Sequence, residues 1–246
     1  MRSGHLSIIY KKQKNVTITD DELAVGDHWD CNCIDPESKL LISLVPGKRT
    51  AANIDEAVRD AAFRLASDCP VPAIFTDGES AYHNAILDVF GTRYPAPRSS
   101  NLGRPRAPII RVPQDLVYAQ VVKHRSGNRV KAVEIRPIFG KGKLDAVVES
   151  LGWKQANTSA IERFNLTDRQ RNARKTRKSL NFSKDRRQHD SQSFINALLY
   201  NFHHYHRSLR IKTEMGILKR TPAQAAGIAT KRFSVLELLR LNPIAC

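Results

Sequence analysis

Acidic residues are scarce in this chain. There are 24 Asp and Glu against 40 Lys and Arg, which leaves a formal charge of +16 and a pI near 10.0. A charge so far from zero implies a polyanionic partner, nucleic acid first. Cysteine is scarcer still. Cys31, Cys33, Cys69 and Cys246 make neither a disulfide framework nor a paired zinc signature. Cys31 and Cys33 would share one face of a strand, as a metal pair or as buried and half-buried free thiols. Long apolar runs are missing, so no membrane span of roughly 20 residues is expected. Met1 to His5 lead into a strand-like run rather than an apolar leader. A reducing cytoplasm is the expected compartment. The aromatic-plus-glycine signatures of common RNA-binding modules are absent, which ranks a basic RNA-binding protein low.

A hydrophobic fraction of 41% is enough for a buried core. The positive charge sits in two blocks. Arg98 to Lys143 holds 11 Lys/Arg against 2 acids, net +9, and Arg163 to Lys212 holds 13 against 3, net +10. The remainder is net −3, an ordinary globular scaffold.

The pattern predicts a short strand over 6–10 and two strands over 27–34 and 39–45. The turn Asp35-Pro36-Glu37-Ser38 should join the latter pair. Thr50 is the expected N-cap of a helix over 51–67, with Ile54, Val58, Ala61, Ala62 and Leu65 at helical spacing. A strand over 71–76 ends at Asp77-Gly78, and a helix follows over 79–90. Five prolines between 94 and 113 mark a linker or inserted arm. Strands are predicted over 117–123 and 130–139, a long basic helix over 158–180, and a last amphipathic helix carrying Phe194, Leu198 and Phe202. The expected class is α/β. The order of elements is that of an RNase H-like mixed sheet flanked by helices, although many α/β folds share pieces of that order. The expected division is a domain over 1–185, with an arm at about 94–116, and a C-terminal helical extension over 186–246.

Two carboxylates stand out. Asp77 follows an apolar strand, where open α/β sheets place their ligands, or it is simply a turn aspartate. Glu162 closes Ser159-x-x-Glu162, which is also the pattern of a capping box. Arg163, Arg169, Arg171, Arg174, Lys175, Arg177, Lys178 and Lys184 follow with few acids at i,i+4. Such a run reads as a phosphate-contacting surface rather than a merely solvated face. His203, His204 and His206 offer a histidine cluster, for metal or for packing.

The run from Asn157 to Thr167 (NTSAIERFNLT) resembles the segment that carries the final glutamate in transposases of the insertion-sequence-one family. Collinear matches surround it. Upstream stand Gly26-Asp27-x-Trp29, Ile34-Asp35, Lys39-Leu40 and Thr76-Asp77-Gly78 with Ala81-Tyr82. Downstream stand the run from Arg177 to Lys184, Tyr200-Asn201-Phe202, His206, Leu209-Arg210 and the run from Thr221 to Gly227. The resemblance covers nearly the whole chain. It implies an RNase H-like fold and an Asp-Asp-Glu site holding Mg²⁺ or Mn²⁺. Hard oxygen donors suit these ions, and two of them about 3.5–4 Å apart serve strand cleavage and transfer. It also implies double-stranded DNA, as transposon ends and target, and a homo-oligomer assembled on it. Asp77 and Glu162 match two of the three ligands. The first should lie in an Asp-Glu-x-Trp segment. Here Ser7-Ile8-Ile9-Tyr10 and Lys14-Asn15-Val16 match its neighbours, but the acidic pair falls on Ser3-Gly4 and the tryptophan on Leu6. The expectation is an amino terminus that is truncated or altered. Asp27 and, less so, Asp35 are the candidate substitutes, with Asp35 expected to be a turn former. A chain lacking the first ligand could also be a non-catalytic DNA-binding remnant that modulates intact transposase.

Overall fold

The computed structural model describes residues 2–9, 12–21, 24–66, 69–97, 106–127, 129–176 and 180–241. The fold is mixed α/β. Among the described residues the strands make two three-stranded and two two-stranded sheets rather than one mixed sheet, and there are seven α-helices. The chain divides into two compact units, Thr50–Thr158, and Arg2–Arg49 with Ser159–Cys246.

In the second unit, β1 (Arg2–Ile9), β2 (Gly26–Ile34) and β3 (Leu41–Gly47) form an antiparallel sheet in that order. The predicted turn joins β2 to β3. The Asp35 carboxylate accepts from the Glu37 amide at 3.1 Å and the Ser38 amide at 2.8 Å, which is how an aspartate at the first turn position fixes a reversal. The first unit starts at α1 (Ala51–Phe63), whose cap is the predicted one: the Thr50 hydroxyl accepts from the Asn53 amide. β4 (Ala73–Thr76) leads to α2 (Ala81–Phe90).

The proline-rich arm is tied at its base, because β5 (Thr92–Tyr94) pairs antiparallel with β6 (Ile109–Arg111). Residues 98–105 lie outside the described residues. β7 (Val117–Ser126) then pairs parallel with β4 on one side and antiparallel with β8 (Arg129–Phe139) on the other. Gly140, at φ 65, turns the chain into α3 (Lys141–Ser150), a helix that the sequence pattern does not predict. A Cβ at Gly140 would come within 2.5 Å of the Leu116 carbonyl, so the position needs glycine for space as well as for φ. Leu144 and Val148 of α3 pack on Phe75, Val117, Ala119 and Val121 to make an apolar core under the sheet.

α4 (Ser159–Arg171) is shorter than the predicted basic helix. Asn172 is extended, and its side chain accepts from the Arg174 amide to start the 3-10 turn Ala173–Lys175. α5 (Arg186–Phe202) is the predicted amphipathic helix. Its Asn201 side chain accepts from the Leu41 amide at 3.0 Å and donates to the Leu41 carbonyl at 2.9 Å, docking the helix end on β3. Leu41, Leu44, Ile161, Phe164 and Tyr200 form the apolar core here. The hairpin β9 (Ile211–Thr213) and β10 (Gly216–Leu218) follows, then α6 (Pro222–Ala225) and α7 (Val235–Leu239), both started by capping boxes.

Candidate functional site

Asp77 belongs to the first unit. Ile74, Phe75 and Thr76 of β4 are buried, and Asp77 emerges half-buried at the strand's carboxyl end. A hydrogen-bonded chain fixes this corner. Thr76 Oγ1 donates to the Asp77 carbonyl at 2.8 Å, and the Tyr118 hydroxyl lies 3.1 Å from Thr76 Oγ1. Gln120 Nε2 donates to that hydroxyl at 3.0 Å and lies 3.4 Å from the Glu79 carbonyl. The Thr76 proton is already committed, so the phenol must donate to Thr76 and accept from Gln120. Burial pushes the Tyr118 pKa up, and the neighbouring Asp77 charge adds to that. Gly78 follows with its Cα against Val122, where a Cβ would sit 3.1 Å from Cγ2. Periodicity alone gave no sign of Tyr118 or Gln120 as supports of this corner. Both lie on a strand whose residues 117–121 are all buried.

Glu162 belongs to the second unit and falls, half-buried, in the first turn of α4. Ile161 and Phe164 beside it enter the apolar core, which fixes the helix rotation and leaves Arg163 exposed. Arg171, Arg174 and Lys184 are exposed too, while Arg169 is half-buried with Nε donating to the Asn165 carbonyl at 3.1 Å. Arg177 and Lys178 lie outside the described residues.

Lys175 is a correction to the phosphate-facing set. Its side chain is buried, with the ammonium 2.5 Å from Asp30 and 2.7 Å from Asp168, both also buried. Burial pulls its pKa down, but the two carboxylates outweigh burial and leave it raised. It is a charged internal strut and cannot reach a phosphate.

That strut is part of a larger polar seam. His28, Asp30 and Asn32 alternate along one face of β2, and all are buried. Asn32 Nδ2 donates to Asn165 Oδ1 at 3.1 Å, and Asn196 Nδ2 lies 3.4 Å from Asp168 Oδ1. His189 of α5 is buried with Nδ1 at 2.7 Å from the Ser183 hydroxyl. Burial pushes His189 down to about 4, opposed by Asp30 and reinforced by Lys175, His28 and Arg174. Among the described residues, Asn32 Oδ1, His189 Nε2 and Asp190 Oδ1 are buried without a hydrogen-bond partner.

The substitute carboxylates are otherwise engaged. Asp27 exchanges hydrogen bonds with Gln13, accepting from its amide at 3.3 Å and donating its own to Oε1 at 3.1 Å. Asp35 closes its turn. Cys31 is buried and Cys33 half-buried, and Cys69 is free and exposed. His203 Nδ1 lies 2.8 Å from the Phe233 carbonyl and His206 Nδ1 lies 2.9 Å from the Ser208 hydroxyl, so both serve local packing.

Asp77 and Glu162 offer the oxygen donors that Mg²⁺ and Mn²⁺ prefer. The described residues nevertheless contain no group of three or more His, Cys, Asp or Glu that could hold a metal ion. No helix among the described residues is long and apolar enough to cross a membrane. Comparison with protein-family models, with curated proteins and with solved structures finds no match to this chain.

Proposed function

We propose that this chain is a transposase-type domain of the insertion-sequence kind that binds duplex DNA and retains two of three catalytic carboxylates, Asp77 and Glu162. The observation that carries the reading is the setting of Asp77. It stands half-buried at the carboxyl end of a strand paired in parallel, on a corner held by Thr76, Tyr118 and Gln120. The order β1-β2-β3-α1-β4-α2 supports an RNase H-like origin. Exposed Arg163, Arg171, Arg174 and Lys184 supply phosphate contacts. Mg²⁺ or Mn²⁺, when bound, would supply charge stabilisation at the scissile phosphate. Two carboxylates hold such ions weakly, and Ser3 stands where the third should be. Cleavage by this chain should accordingly be poor, and DNA binding should be its main property. On this reading it acts on insertion-sequence ends as a homo-oligomer.

Plasmid nicking in Mg²⁺ or Mn²⁺ tests the assignment. Loss of a single well-placed stabilising group costs about 10²–10³ in rate. The combined substitution Ser3→Asp, Gly4→Glu and Leu6→Trp should raise nicking by a comparable factor, and Asp77→Asn should abolish the gain. If the unchanged chain nicks as fast as the repaired one, and Asp27→Asn leaves that rate intact, the ligand assignment is wrong. DNA binding without any nicking after repair would favour a non-catalytic DNA-binding protein that modulates an intact enzyme.

A further inference from the structure

The geometry points to the β7–β8 hairpin as a second DNA-contacting element, a two-stranded basic ribbon that enters the major groove of duplex DNA. This rests on the duplex-binding reading above but adds a surface that neither Asp77, Glu162 nor the α4 cations belong to.

The ribbon grows out of the first unit's sheet. β7 pairs with β4 only as far as Gln120, and residues 117–121 are buried. From there burial falls away: Val122 and Lys123 are half-buried, and His124, Arg125 and Ser126 are exposed. On β8 every residue from Arg129 to Val133 is exposed. The pairing nevertheless continues to the tip, with Arg125 opposite Val130 and Ser126 opposite Arg129. A paired ribbon therefore runs past the core that supports its base. Its part beyond Lys123 reaches about 10 Å at about 3.4 Å per residue. A major groove about 12 Å wide and about 8.5 Å deep admits a two-stranded ribbon of that reach.

The chemistry fits the same ligand. The register shifts between His124 and Arg125, which leaves Lys131 as an extra residue on β8. Such a bulge re-aims a side chain and sharpens the local twist. Among the described residues, Arg125, Arg129 and Lys131 pair with no carboxylate. The ribbon's one acid, Glu134, is already taken up. Arg136 binds it through two nitrogens at 2.7 and 2.9 Å, and His124 lies 2.7 Å away. Val130 lies between Arg129 and Lys131, and Val133 follows two residues on; the two valines are 44% and 37% accessible. Cations at phosphate height with small apolar side chains between them suit a groove wall and thymine methyl groups. An exposed edge strand also carries charge simply to prevent edge-to-edge aggregation. That role would leave DNA affinity indifferent to these residues.

The test uses the full chain, a labelled duplex of about three helical turns and the matching single strand, followed by fluorescence anisotropy across a KCl series. The variant Arg125→Ala/Arg129→Ala/Lys131→Ala changes exposed residues only, and an unchanged circular dichroism spectrum and melting temperature will establish that it folds. Duplex affinity should fall about tenfold or more, and the slope of log K against log salt should shrink by about 3, one per lost phosphate contact. Single-strand affinity should fall less. An unchanged duplex affinity and slope in a chain that still binds DNA would overturn the ribbon assignment and leave the duplex-binding reading standing. Equal losses on duplex and single strand would overturn the groove assignment. No binding by the unmodified chain would remove the reading itself.

Discussion

Each of the two compact units builds a three-stranded sheet and covers it with helices, but they bury different chemistry. In the first unit, Leu144 and Val148 of α3 close an apolar core against Phe75, Val121 and their neighbours. The buried polar groups Thr76, Tyr118 and Gln120 are tied into one short hydrogen-bonded chain. In the second unit, the central strand turns His28, Asp30 and Asn32 into the interior, where Lys175 and Asp168 meet them. The lesson is that an apolar core tolerates loss of a contact in proportion to the cavity left. A buried ionic seam holds only while every charge keeps its partner.

The two interiors should differ most in their response to substitution at Lys175. Lys175→Met leaves two buried carboxylates without their cation, and removing one partner of a buried pair typically costs about 3–5 kcal/mol. Urea unfolding should report that loss. Adding Asp30→Asn and Asp168→Asn to the same chain should recover at least half of it, because the uncompensated charge is then gone. Leu144→Ala in the first unit should cost about 2–4 kcal/mol through lost burial and a cavity, and no second substitution of this neutralising kind should rescue it. A Lys175→Met variant as stable as the parent would show that the seam is not holding the second unit together.

A smaller effect separates the units by pH. His189 has a folded pKa of about 4 against the ordinary 6.5, because burial disfavours its charged form. The unfolded chain therefore binds the proton first. Above pH 6.5 the histidine contributes no pH dependence. As pH falls from 6.5 toward 4 the second unit loses stability, by up to about 3 kcal/mol at the end of that window. His204, also lowered to about 4 by burial first and then by Arg171, acts in the same direction. His189→Gln should flatten the slope between pH 6.5 and 4.5 in urea melts. A slope that survives this substitution would place its origin elsewhere.

Much of the scaffold was legible because local chemistry decides it. Thr50 caps α1, and Asp35 closes the β2–β3 turn, as their positions predicted. α3 escaped because its N-cap is Gly140 and its start, Lys141-Gly142, carries no helix signal. The expected basic helix overruns the observed one because a run of cations reads as one solvated face. Its stop depends on Asn172, whose buried side chain caps the next turn. Lys175 departs from its expected role for a related reason. Its partners stand 145 and 7 residues away, so nothing in its neighbourhood distinguishes a strut from a phosphate contact. The alternation in β2 showed which residues share a face, but period two cannot say which face is buried. There a polar face is the inner one. Asp77 and Glu162 were picked out by motif, and the structure puts them on elements of the expected type, a strand end and a helix start. The hydrogen-bonded support of Asp77 is a tertiary fact that no spacing encodes.

Both the proposed carboxylate site and the proposed ribbon require that the whole chain bind duplex DNA. The direct measurement is equilibrium binding of the unmodified chain to a short duplex across a series of KCl concentrations. If about six phosphates are neutralised, log K should fall linearly with log salt at a slope near −5, with little dependence on sequence. A flat salt response, or no binding at low salt, would mean that a net charge of +16 serves some other partner and would contradict the account at its base.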